Sequence, residues 1–156
     1  MTDILVGSKV KAADFPASVW AQDATEILNI TSTTFITGSP VVATTFVAPT
    51  SGRVLVFVGG AARAQTGDNR VFIVANVFLG TSAAGTEVLS ASVGFTGCGF
   101  SLAATNYYYQ NRTFQMSGMT PGSTYYARVM YSATNTGVTD NTCDIACREI
   151  GVIPIS

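Results

Sequence analysis

The chain has 156 residues, 47% of them hydrophobic and only 11% charged, against a charged share of about 25% in ordinary soluble domains. Eight basic and nine acidic side chains leave a formal charge of −1, which excludes the basic footprint that nucleic acid or an anionic membrane requires. The lack of histidine removes the residue most used for acid–base catalysis near neutral pH and for zinc ligation.

Residues 1–24 read as an extended N-terminal arm, because Gly7, Ala12, Ala13 and Pro16 interrupt the short apolar stretches Ile4–Val6, Phe15 and Val19–Trp20. No apolar run reaches signal-peptide length, and Asp3, Lys9, Lys11 and Asp14 punctuate the segment, so synthesis and retention in a cytoplasm are expected. Both lysines lie here, while residues 25–156 use arginine alone. Lys9, Lys11, Phe15 and Trp20 are therefore the candidate docking residues, with Phe15 and Trp20 inserting into a partner or a neighbouring subunit. The competing reading packs the segment against its own domain.

Residues 25–156 form one β domain. Runs rich in Val, Ile, Thr, Phe and Tyr alternate with Gly, Ser, Asn and Pro clusters, the pattern of strands and turns. The expected strands are Glu26–Ile30, Val41–Val47, Arg53–Val58, Arg70–Leu79, Glu87–Val93, Tyr107–Met116, Thr124–Tyr131 and Ile145–Ile153. Pro49 to Gly52, Thr66 to Asn69 and Pro121-Gly122 supply the reversals, the last fitting a type II turn. Eight strands at this spacing predict an all-β fold, an antiparallel jelly-roll sandwich.

Two strands are apolar on both faces. Val54, Val56 and Val58 oppose Leu55 and Phe57, and Ile73, Ala75, Val77 and Leu79 oppose Phe72, Val74, Asn76 and Phe78. Antiparallel sheets normally keep one face wet, so a second subunit is expected to cover Phe72, Val74 and Phe78. Burying those three contributes roughly 5–9 kcal/mol per chain as an upper estimate. The tyrosines at 107, 108, 109, 125, 126 and 131 suit an interface, an apolar ring with a hydroxyl that stays satisfied, with ordinary packing inside the sandwich as the competing reading. Tyr107 and Tyr109 share a face and join the candidate oligomer interface. Tyr108 and Tyr126 are the candidate ligand-stacking residues.

Little catalytic chemistry can be assembled. Acid–base pairs could come in principle from Asp140, Asp144 and Glu149, but Asp140 falls in a polar loop and Arg148 and Glu149 point to opposite faces of a strand. Asp140, Asn141 and Asp144 lack the alternation and closing glutamate of a calcium loop. The glycine-rich stretch Gly94 to Gly99 opens no helix, so it cradles no phosphate. No cofactor, no metal and no enzymatic activity are expected. Cys98, Cys143 and Cys147 have no CxxC spacing. Cys143 and Cys147 share strand parity about 13 Å apart and cannot bridge each other, so buried free thiols are expected, the alternative being a bridge from Cys98 to one of them. The triplets at Asn29 and Asn111 match a glycosylation acceptor, which means little without a secretory signal.

Phe46-Val-Ala-Pro49-Thr-Ser-Gly52-Arg-Val54-Leu-Val56-Phe57 resembles the strand-turn-strand signature of the tumour-necrosis-factor and complement-globular-head superfamily. That resemblance implies a jelly roll assembled as a homotrimer through apolar and aromatic strand faces. The stretches Gly7 to Pro16, Ala21 to Thr25, Gly118 to Tyr125 and Ala146 to Pro154, with the Phe46–Val58 motif, resemble small structural or minor tail proteins of tailed bacteriophages of actinobacterial hosts. Gly118 to Val129 also reads like the turn before a late strand of a fibronectin type III module, but such modules carry an early core Trp and the one Trp here is Trp20. The phage resemblance implies a virion component made in the host cytoplasm. It would decorate the capsid or serve as a minor tail protein, anchored by its arm to the major capsid or tail protein. The alternative is a tail module that binds host cell-surface glycan.

Overall fold

A computed structural model describes residues 15–64, 69–101, 106–134 and 143–155. Lys9, Lys11 and Asp140 lie outside these residues. Among the described residues there is no helix, and ten strands follow one another: β1 (Val19–Asp23), β2 (Ile27–Ile30), β3 (Ala43–Val47), β4 (Arg53–Ala64), β5 (Arg70–Leu79), β6 (Thr86–Leu89), β7 (Gly97–Phe100), β8 (Tyr108–Met116), β9 (Thr124–Thr134) and β10 (Cys143–Ile155). All eight strands expected from periodicity have a counterpart, although the one expected at Glu87–Val93 ends at Leu89. β4 runs on through Gly59 and Gly60 because bare backbone is needed there. A Cβ at Gly59 would sit 2.4 Å from the Gln110 carbonyl oxygen, and one at Gly60 2.1 Å from that of Cys147.

The strands form two sheets in which every pairing is antiparallel. The first sheet has the order β1-β10-β4-β8, with β2 also on β10; the second has the order β3-β9-β5-β6, with β7 also on β5. β1 pairs with residues 148–152 of β10 and β2 with residues 143–145, so they are two halves of one edge position. β7 and β6 divide the edge of β5 in the same way. Each sheet therefore has four positions, and successive strands from β2 onward mostly cross from sheet to sheet. This is a jelly-roll sandwich.

Alternation fills the space between the sheets. Val54, Val56, Val58, Ile150 and Val152 from the first sheet face Val71, Ile73, Ala75, Val77, Ala127 and Val129 from the second, all essentially inaccessible to solvent. Phe46 stacks on Tyr125 with ring centroids 5.6 Å apart, and the Tyr125 hydroxyl accepts the Thr120 backbone N–H at 2.9 Å. The Phe46–Phe57 motif thus spans both sheets: β3 lies in the second, β4 in the first, and Pro49 to Gly52 turns the chain between them.

The arm needs a new boundary. Residues 19–23, placed in it by the broken apolar pattern, form β1 in register with β10, with Trp20 opposite Gly151. Trp20 is thus part of the sandwich surface. The chain enters β1 and leaves β10 at one end of the sandwich, where residues 48–52, 80–85 and 117–123 also turn. The connection 31–42 lies at the other end, where β4 ends at Ala64, β8 begins at Tyr108, β9 ends at Thr134 and β10 begins at Cys143.

Candidate interaction surfaces

The outer face of the second sheet is where a partner was expected, and the chain covers much of it itself. Val74 is fully buried and Phe78 only 7% exposed, with Phe72 half-buried. Val74 abuts the Gly97 backbone so closely that a Cβ there would lie 2.6 Å from Val74 Cγ1. The Phe72 ring lies over Gly99, where a Cβ would meet its Cε1 at 2.8 Å. Arg128 stacks its guanidinium on Phe78, 4.9 Å from the centroid, and Tyr126 flanks the same ring at 6.4 Å. Asn76 holds these parts together. Its amide donates to Glu87 and, at 2.8 Å, to the Leu89 carbonyl, and its oxygen accepts Arg128 Nε–H at 2.9 Å. Two-sided apolarity in β5 therefore needs no second subunit for Val74 or Phe78, which corrects the interface expected there.

On the first sheet, the outward row runs Trp20, Gly151, Phe57 and Thr113, and the next row contains Ile153, Leu55 and Gln115. Phe57 covers Gly151, where a Cβ would lie 2.0 Å from its ring carbons. An aromatic ring over a strand glycine shields backbone that has no side chain of its own. Trp20 remains 58% exposed and Ile153 44%, while Leu55 and Phe57 are half-buried. This is one apolar face left to solvent; Val93 and Phe95, between β6 and β7, are exposed as well.

The tyrosines separate. Tyr107 lies just before β8 under Arg63, whose guanidinium carbon is 4.6 Å from the ring centroid, and its hydroxyl donates to Glu26 at 3.0 Å. Burial and the Glu26 bond push the Tyr107 hydroxyl above its ordinary pKa, against the opposing pull of Arg63. Tyr109, opposite Ala61, is 78% exposed. Tyr107 and Tyr109 are therefore not equal members of one interface. Tyr108 belongs to the first sheet beside a shallow recess lined by Ala62, Arg63, Phe100, Ser101 and Gln110. Tyr126 lies on the outer face of the second sheet. These two cannot stack one ligand together. Phe15 is 52% exposed.

The carboxylates serve the framework. Asp144 is buried, accepts Arg63 Nε–H and the Asn29 backbone N–H at 2.9 Å each, and so ties β2, β4 and β10 at one end of the sheet. Asn29 reaches it with a positive φ of 57°. Glu149 points outward opposite Gln22. Among the described residues no three His, Cys, Asp or Glu side chains are grouped as a metal site. Cys98 and Cys143 are buried free thiols, pushed by burial up to about 11. A bulge between Ile145 and Cys147 overturns the shared parity expected of Cys143 and Cys147. Cys143 enters the core opposite Ala64, and Cys147 turns outward opposite Ala61.

One feature was not anticipated from the sequence. Arg148 is completely buried between the sheets, donating to Asp23 at 3.1 Å and to the Thr37 carbonyl at 3.0 Å, with Nε unpartnered. Burial works to raise the Asp23 pKa, but hydrogen bonds from Thr25 and Arg148 outweigh it and hold the carboxyl below its ordinary value. The available signal was parity, since Arg148 shares the inward face of Ile150 and Val152.

No family model matches the chain, and no curated protein matches its sequence. Solved structures do match in fold. The VP2 subviral particle of infectious bursal disease virus aligns with 89% of this chain at a TM-score of 0.55 and 11% identity. A mutant VP2 of the same virus, in derived T=1 particles, gives 0.53 at 12% identity, and the Gx strain gives 0.52 at 14%. In each case the chain spans 32% of the matched chain. At such identities the likeness is one of fold, and it places the jelly roll of this chain beside a domain-sized part of a virus particle protein.

Proposed function

We propose that this protein is a non-enzymatic structural subunit of a virus particle, a bacteriophage accessory protein of capsid or tail. The observation that carries this reading is the jelly roll that follows the virus particle protein over 89% of the chain. The charge deficit of the sequence and the exposed Trp20 and Ile153 on one sheet agree with a subunit partly covered by neighbours. The N-terminal segment, with Lys9 and Lys11 and with Phe15 and Trp20 exposed near its junction, is the anchor to the major capsid or tail protein. Because the chain enters at one end of the sandwich, anchoring there turns the end bearing connection 31–42 and the start of β8 away from the particle. Assembly as a homotrimer stays within the proposal, through surfaces other than Val74 and Phe78.

Particles purified on a density gradient and analysed by quantitative mass spectrometry test the reading. Stoichiometric co-purification supports it: hundreds of copies fit capsid or tail tube, a few fit a tail tip. A chain confined to the free protein fraction refutes it. A second reading, adhesion to host cell-surface glycan, draws on Tyr108 and Tyr109, which are exposed at the end away from the anchor. Saturable binding on a glycan array, lost in Tyr108→Ala or Tyr109→Ala, would favour it.

A further inference from the structure

The four sheet edges are not alike. The β1 and β2 edge is broken at residues 24–26 and bulged opposite β10. The β6 and β7 edge is broken at residues 90–96, and β3 has only five residues. β8 has nine, pairs with β4 through Val54 to Ala62 without a register shift, and among the described residues pairs with nothing on its other side. Its residues Tyr108 to Thr113 are all exposed. It contains no Pro and one charge, Arg112. Proteins usually blunt an edge of this kind with charges, Pro or a bulge, and β8 has almost none of these.

We infer that β8 is a self-association edge, on which a second copy of this chain adds its own β8 antiparallel and joins two first sheets into one. An antiparallel edge is complementary to itself, so a two-fold pairing closes as a dimer without an open row of donors. The side chains choose the register. A two-fold axis at Arg112 would set two guanidinium groups directly opposite, which is unfavourable. Moving the axis to Asn111 keeps both outer faces on the same side and sets Tyr109 opposite Thr113 and Tyr108 opposite Phe114. These are aromatic–β-branched and aromatic–aromatic cross-strand pairs, and Gln110 meets Arg112. The exposed Trp20 and Ile153 faces of the two copies then lie on one side of a continuous sheet.

Sedimentation velocity on the full chain over a range of concentrations tests this, with Asn111→Lys and Asn111→Asp as probes. Asn111 is exposed, so either substitution leaves the core alone. Each variant by itself places like charges across the axis and should associate about fivefold or more weakly, the factor given by two unit charges roughly 4–5 Å apart in water. An equimolar mixture sets Lys against Asp and should regain wild-type association, which also shows both variants folded. A wild-type chain that stays monomeric overturns the inference. So do single variants that associate like wild type, or a mixture that stays weak. Association lost in Trp20→Asp but kept in both Asn111 variants also overturns it, in favour of face-to-face contact.

Discussion

If the chain covers its own outer face on the second sheet, removing the residue that organises the cover must cost stability in the isolated subunit. Asn76 is 1% exposed, and Asn76→Ala deletes three hydrogen bonds at once. The carbonyl of half-buried Leu89 loses its Asn76 donor, which costs about 1–3 kcal/mol where water does not replace it. Arg128 loses an acceptor, but it is half-buried and can turn to water, so its share is discounted to below about 1 kcal/mol. Glu87 is exposed and contributes little. The expected destabilisation is about 2–3 kcal/mol. With a urea slope of about 2 kcal/mol/M, the midpoint should fall by about 1–1.5 M. Asn76→Asp is the informative companion: it keeps an acceptor for Arg128 but turns a carboxylate toward the Leu89 carbonyl and the Glu87 carboxylate. A midpoint shift below about 0.3 M would refute the reasoning. So would a wild-type midpoint that rises with protein concentration and loses that rise in Phe78→Asp, because the cover would then come from another subunit.

Phe46→Ala removes a ring that is 3% exposed and stacked on Tyr125, and should cost about 3–5 kcal/mol in chemical denaturation. Gly52→Ala strains a backbone at φ 64° and pushes a Cβ to 2.6 Å from the Met119 carbonyl oxygen. A loss of about 2 kcal/mol, a fall in Tm of roughly 4–8 °C for a domain of this size, is expected by calorimetry. Cys98 and Cys143 keep their protons up to about 11 in the folded chain, whereas the unfolded chain releases them near the ordinary thiol value of 9.0. Stability should therefore fall as pH rises from about 9 to 11, and Cys98→Ala with Cys143→Ala should flatten that limb. Asp23 behaves in the opposite sense. Its lowered pKa gives stability that is present above its unfolded value and lost as pH falls through the folded one, so Asp23→Asn should flatten the acid limb of the unfolding profile.

Strand positions were legible because they depend on alternation and turn chemistry, both local. Val54, Val56 and Val58 alternate with Leu55 and Phe57, and the chain reverses where Pro49 and Gly52 stand. β7 was not legible. Gly97-Cys98-Gly99 has almost no side chain to make a pattern, and becomes a strand only because β5 offers an edge to it. β1 was masked for a related reason, since Val19, Ala21 and Asp23 face inward and a carboxylate at the third position breaks the apolar count. Its partner is Arg148, 125 residues away, and no local window contains both. The bulge that turns Cys147 outward is likewise a property of the pairing with β4, not of the Ile145-Ala-Cys147 sequence.

The outer faces raise the harder question, because the alternation was read correctly and the conclusion drawn from it still failed on one sheet. An apolar residue on the outward side of a strand requires cover, but pattern alone does not say whose. Glycines decide much of it. Phe57 lies over Gly151 and Phe72 over Gly99, so each ring spends part of its surface shielding neighbouring backbone, and Arg128 lays a cation on Phe78. Trp20 has no such arrangement: Gly151 beside it is already occupied by Phe57. What remains exposed is thus set by cross-strand neighbours, and a count of outward apolar residues overstates the surface offered to another subunit. On this logic Trp20 and Ile153, rather than Val74 and Phe78, are the apolar residues that a particle neighbour would bury, and Trp20→Asp should weaken incorporation more than Phe72→Asp does.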